Sequence, residues 1–93
     1  MRKNVAFKNH DRFVQLGIAI SSLRKVRGLS QEALAEKAGI SRSLISVIES
    51  PNTANSFSLE TLFDIADALG VSPADLFTAS LFPDDIIHST ANT

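Results

Sequence analysis

The 93 residues contain no cysteine, no tryptophan and no tyrosine. Without cysteine, disulfides and Cys-based zinc sites are excluded, and a secreted disulfide scaffold does not fit. Without Trp and Tyr, the core must rest on aliphatic side chains and six Phe. His10 and His88 lie near opposite ends and make no metal-ligand spacing, and Asp84-Asp85 lacks further ligands. There is no glycine-rich phosphate loop. An enzyme is therefore not expected, and neither is a metal or cofactor. No apolar run approaches the ~18 residues of a membrane span, and Met1-Arg2-Lys3 lacks the apolar stretch of a signal peptide. A cytoplasmic protein with no membrane partner is expected. No segment alternates at period two, so no sheet is expected.

Basic residues are missing from one whole region of the chain. All nine Lys and Arg fall within residues 1–42, while the net charge is −1. Residues 1–57 set those nine against Asp11, Glu32, Glu36 and Glu49, a balance of +5. Residues 58–93 carry only Glu60, Asp64, Asp67, Asp75, Asp84 and Asp85, a balance of −6. Such a split points to a basic face for an anionic partner and an acidic face turned away from it.

One local pattern occurs four times: an apolar residue, Ser, three residues, then an apolar residue. It is found at Leu29-Ser30…Leu34, Ile40-Ser41…Ile45, Phe57-Ser58…Leu62 and Val71-Ser72…Leu76. Each Ser suits an N-cap, where its hydroxyl accepts an orphan backbone N–H. The flanking apolar pair suits a hydrophobic staple. Pro73 adds a preferred first helical residue after Ser72. These signals start helices 2 to 5. Helix 1 is expected over about residues 11–27, with Phe13, Leu16, Ile20 and Leu23 in one stripe and Gly28 ending it. Gly39 and Gly70 end helices 2 and 4. Leu59, Leu62, Phe63, Ala66 and Leu69 are assigned to one face of helix 4, and helix 5 to about 73–79. The fold class is all-α with five helices. Residues 1–10 are expected as a flexible basic arm, 11–79 as the domain, and 80–93 as an apolar and acidic tail, a candidate dimerisation element.

The stretch from Ser30 to Glu49 carries the function. Counting Gln31 as position 1, position 5 is Ala35, small enough for two helices to cross. Position 9 is Gly39, free to take the positive φ of a tight turn. Leu34, Ala38, Ile40, Ile45 and Ile48 close the wedge between the helices. The second helix, 42–49, rises about 12 Å, and the B-DNA major groove, about 12 Å wide, admits one α-helix.

Residues from about 20 to 77 resemble the phage repressor/Cro-type helix-turn-helix family, also called the XRE family. The marks are Leu23-Arg24…Gly28-Leu29-Ser30-Gln31…Leu34-Ala35…Ala38-Gly39-Ile40-Ser41…Ile45…Ile48-Glu49, followed by Leu62…Ile65-Ala66…Leu69-Gly70-Val71…Pro73…Leu76-Phe77. The resemblance implies a five-helix repressor-like domain that binds double-stranded operator DNA as a homodimer. It implies that Gln31 touches the phosphate backbone, the alternative being a solvated helix-start residue. It puts Ser41, Arg42, Ser43, Ser46 and Val47 on the exposed side of the recognition helix. Arg42 is the candidate base reader, since a guanidinium can grip guanine O6 and N7 together; the alternative is a phosphate contact. Val47 is divided between a thymine methyl and core packing. Arg24 and Glu49 match a family salt bridge tying helix 1 to helix 3. Where the family has Asn-Gly after that glutamate, this chain has Ser50-Pro51-Asn52, with Asn52 a candidate phosphate donor.

The expected function is a sequence-specific transcriptional regulator, a repressor, on a palindromic operator. Its dimer interface is assigned to Leu76, Phe77, Leu81, Phe82, Ile86 and Ile87, the alternative being that these residues fold back on the chain's own core over Val14 and Ile18 of helix 1. The alternative is an antitoxin-like module that neutralises a protein partner through the acidic C-terminal half.

Overall fold

The computed structural model describes residues 5–51 and 54–81. A 3-10 turn, Phe7–Asn9, runs directly into α1, His10–Val26, followed by α2, Gln31–Ala38, α3, Arg42–Glu49, α4, Leu59–Leu69, and α5, Pro73–Leu81. No strand occurs among the described residues.

The four serines cap as their spacing requires. Ser30, Ser41 and Ser58 Oγ accept from the backbone N–H of Ala33, Leu44 and Thr61 at 3.0, 3.1 and 3.1 Å. Ser72 Oγ accepts from Asp75 N at 3.1 Å, and Asp75 Oδ2 in turn accepts from Ser72 N at 3.4 Å, a reciprocal capping box. At the other end of α2, Gly39 takes φ 73, and Ile40 N donates to Ala35 O at 3.0 Å. Gly28 and Gly70 repeat the conformation after α1 and α4.

The helices close on one core. Ile20 and Leu23 of α1, Leu34 of α2, Ile45 of α3, Ile65 and Leu69 of α4 and Leu76 of α5 are fully buried. α1 packs against α3, α4 and α5, and α2 against α3 and α4. Phe13 meets Phe57 edge-on at 5.7 Å. Arg27, just past α1, donates from Nε to the Leu69 carbonyl at 2.9 Å. That places a cation at the C-terminus of α4, where the helix dipole favours it.

Four expectations are corrected. The helical run begins before residue 11: Asn9 N donates to Ala6 O at 2.9 Å and Arg12 Nη1 to Asn9 Oδ1 at 3.0 Å, so the end of the expected arm is a 3-10 turn continuous with α1. On α4 the buried line is Leu62, Ile65, Ala66 and Leu69, while Leu59 and Phe63 are 64% and 45% exposed. Their i, i+4 line lies one strip round the helix from the core. Leu76 is fully buried in the chain's own core, so it is not a surface for a second copy; Phe77 beside it is 45% exposed. α5 also runs to Leu81 rather than 79.

Candidate nucleic-acid interface

α3 divides cleanly into two faces. Ile45 and Ile48 point into the core. Arg42, Ser43, Ser46 and Val47 are exposed, as is the capping residue Ser41. Val47 is 41% exposed, which sets it on the outer face rather than in the core. Ala35, 3% exposed, sits where α2 and α3 pack, and the turn Gly39–Ser41 joins them. A helix presenting one Arg, small hydroxyls and one Val on its outer face has the chemistry to meet both polar base edges and a thymine methyl in a groove.

The end of α3 is held by a buried ion pair. Arg24 Nε donates to Glu49 Oε2 at 2.8 Å, and Arg24 Nη2 donates to Glu49 Oε1 at 3.0 Å. Their side chains are 11% and 4% exposed. The remaining Nη1 donates to the Leu29 carbonyl at 2.7 Å, so the guanidinium also braces the segment leading into α2. This bidentate geometry is the strong form of an Arg–carboxylate contact. The Arg24–Glu49 link expected from the sequence is thus in place. Gln31, half-buried at the start of α2, donates from Nε2 to Glu49 Oε1 at 3.0 Å.

Around this pair lies a polar groove. Ser21, Ser22 and Lys25 of α1 line one side, Ser46, Ser50 and Pro51 the other, with Gln31 between them. Arg42 opens on the adjoining surface with Ser30, Gln31 and Glu32. Hydroxyls, an amide, an ammonium and a guanidinium therefore face outward on the side that presents α3, a suitable set for phosphate oxygens. The acids of α4 and α5, Glu60, Asp64, Asp67 and Asp75, lie on the other helices.

Two features of the interface had not been anticipated. Gly17 lies inside α1 and is buried, and a Cβ there would collide with the Ile48 carbonyl oxygen. The available signal was a lone glycine inside a helical pattern. The other is the groove wall of Ser21, Ser22 and Lys25, which ordinary surface composition disguises. Past α3, Ser50 is extended at φ −64, ψ 121, as the residue before a proline prefers. Asn52 lies outside the described residues, as do Phe82, Ile86, Ile87 and the side chain of Leu81.

The helix-turn-helix family matches residues 20–76. None of the curated proteins compared matches the chain. Among solved structures, the restriction-modification controller protein C.AhdI from Aeromonas hydrophila is similar, with a TM-score of 0.65 and 34% identity over 70% of this chain and 96% of that one. A chain of the SinR protein/SinI protein complex is similar at TM-score 0.59 and 38% identity over 66% of this chain; this protein spans 58% of its length. The clp gene regulator ClgR from Corynebacterium glutamicum gives TM-score 0.66 and 28% identity, covering 84% of this chain and 79% of that one.

Proposed function

The chain belongs to the XRE-type helix-turn-helix family of DNA-binding transcriptional regulators, and on that premise we propose that it is a repressor that binds a palindromic operator as a homodimer. The observation that carries the reading is α3 itself. Its inner face is locked by Ile45, Ile48 and the Arg24–Glu49 pair, while Arg42, Ser43, Ser46 and Val47 are left free to face a major groove. In this reading Arg42 grips a guanine edge, Ser43 and Ser46 bond bases or phosphates, and Val47 meets a thymine methyl. Ser41, Gln31 and Asn52 flank them at the phosphate backbone.

The second copy docks through Phe77 together with Leu81, Phe82, Ile86 and Ile87, setting two copies of α3 about 34 Å apart in successive grooves. Selection from random duplexes at low salt tests the proposal. An inverted repeat with half-sites one helical turn apart is the expected product, and no enriched sequence would overturn it. Sedimentation at micromolar concentration tests the homodimer, and a monomer there would remove it.

A second reading has its own observation. Leu59 and Phe63 are exposed on α4 beside Glu60 and Asp67, an apolar strip with an acidic edge. That surface suits a basic protein partner that the acidic half would neutralise, as an antitoxin does. The SinR protein is itself recorded in complex with the SinI protein. Tight DNA binding by the isolated chain favours the regulator; co-purification with a small basic protein and no DNA binding favours the module.

A further inference from the structure

α2 and α3 meet twice. At one end the turn Gly39–Ser41 joins them covalently. At the other end, the first residue of α2 and the last residue of α3 are bonded side chain to side chain, Gln31 Nε2 to Glu49 Oε1 at 3.0 Å. The orientation of the amide is dictated by its neighbour. Its oxygen would face a carboxylate, so the nitrogen must. Glu49 Oε1 also accepts from Arg24 Nη2, so one oxygen collects donors from both α1 and α2.

We propose that Gln31 is a positioning residue that latches the open end of the helix-turn-helix and fixes the tilt of α3 for base reading. This rests on the reading of α3 as the DNA-contacting helix, and departs from the assignment of Gln31 to the phosphate backbone alone. α3 is eight residues long. A helix of that length rises about 12 Å, so a tilt of about 10° about the turn would carry its far end about 2 Å. A working site tolerates displacements of about 0.5 Å. The turn alone fixes one end of the wedge, and Gln31 and Arg24 fix the other through the same carboxylate. A primary amide carries two N–H groups. With one held by Glu49, the second is aimed rather than free to rotate, and any phosphate it meets is met in register with α3.

The latch and a plain phosphate contact make different predictions. Gln31→Met keeps the length of the side chain and removes the amide. Binding is measured to the selected duplex and to an unrelated duplex of equal length, at two salt concentrations and well below the melting temperature. The expected result is a loss about tenfold greater on the selected duplex than on the unrelated one, an excess equal to about 1.4 kcal/mol; a small loss common to both duplexes is the phosphate contact, and the excess is the latch. Equal losses on both duplexes, or no loss on either, would overturn the proposal.

A second measurement needs no DNA. The chain has two glutamines, Gln15 and Gln31, and Gln15 is exposed. Side-chain amide exchange followed by NMR is expected to be slower at Gln31 than at Gln15; equal rates would sink the latch. If selection returns no duplex, the regulator reading fails while the exchange comparison still decides the latch.

Discussion

Among the described glycines, Gly17 is where a missing side chain lets α1 and α3 approach closely. Helix propensity alone predicts that Gly17→Ala stabilises α1 by about 1 kcal/mol. The structure predicts the opposite sign, because the new methyl would meet the Ile48 carbonyl, which is backbone and cannot rotate away. A loss of about 1–3 kcal/mol in urea unfolding is expected, as for other overpacked sites, together with weakened DNA binding. Increased stability would show that α1 and α3 separate easily. Arg24→Ala is the companion case. It leaves Glu49, whose side chain is 4% exposed, without its main partner. Breaking a buried pair in this way costs about 3–5 kcal/mol, a large part of the ~5–15 kcal/mol that holds a domain together. An unchanged urea midpoint would mean the pair contributes nothing. At this scale Ala35 and Gly39 were legible from the spacing of two short helices and a turn, and the Arg24–Glu49 pair from the resemblance to the repressor family. Gly17 stayed hidden because its reason lies across the fold on Ile48, and the bond from Gln31 because an amide has many uses.

Helix starts were legible at the scale of elements, because a serine cap is a local event read from a few adjacent residues. Which way a helix rolls is not local. α4 has apolar residues at 59, 62, 63, 65, 66, 68 and 69, more than one stripe needs. Only the packing of α1, α2 and α5 against it selects Leu62, Ile65, Ala66 and Leu69. The choice has a measurable consequence. Leu62→Ala removes a fully packed side chain and is expected to cost about 2–5 kcal/mol. Phe63→Ser, from the exposed strip, is expected to fall within about 0.5 kcal/mol of the parent. Thermal melts of the two variants check this, and comparable losses would mean that the strip is covered. α5 ran further than its composition suggested, and its Leu76 shows the same lesson: apolar residues near a terminus can belong to the core already present.

At the scale of the whole molecule, the described bases of the first half of the chain are sorted by the partners they meet. Not every base in the first half is available to an anion. Arg24 is engaged by Glu49, and Arg27 is turned onto the Leu69 carbonyl of α4. Lys25 and Arg42 border the grooves beside α3. Lys25→Ala should therefore reduce the dependence of DNA affinity on log salt by close to one phosphate's worth, about 0.9. Arg27→Ala should leave that slope unchanged, although it frees a helix end and lowers stability. Titrations at several salt concentrations test both, and a larger change for Arg27 would reverse the assignment. Sorting these cations required the fold, because pairing is decided by helices that meet only in the folded state.

The two faces of α3 also bear on how readily such a protein changes its target. Folding depends on Ile45, Ile48 and Glu49 on the inside and on Ser41 as the cap. Arg42, Ser43, Ser46 and Val47 have exposed positions. Those four can therefore vary as an exchangeable cassette. Replacing them together should redirect the preferred duplex while each change shifts stability by no more than about 0.5 kcal/mol, which paired selection and melting experiments would reveal. New specificity can then arise by drift on a surface the fold does not monitor, so related chains can share this scaffold and still ignore one another's sites.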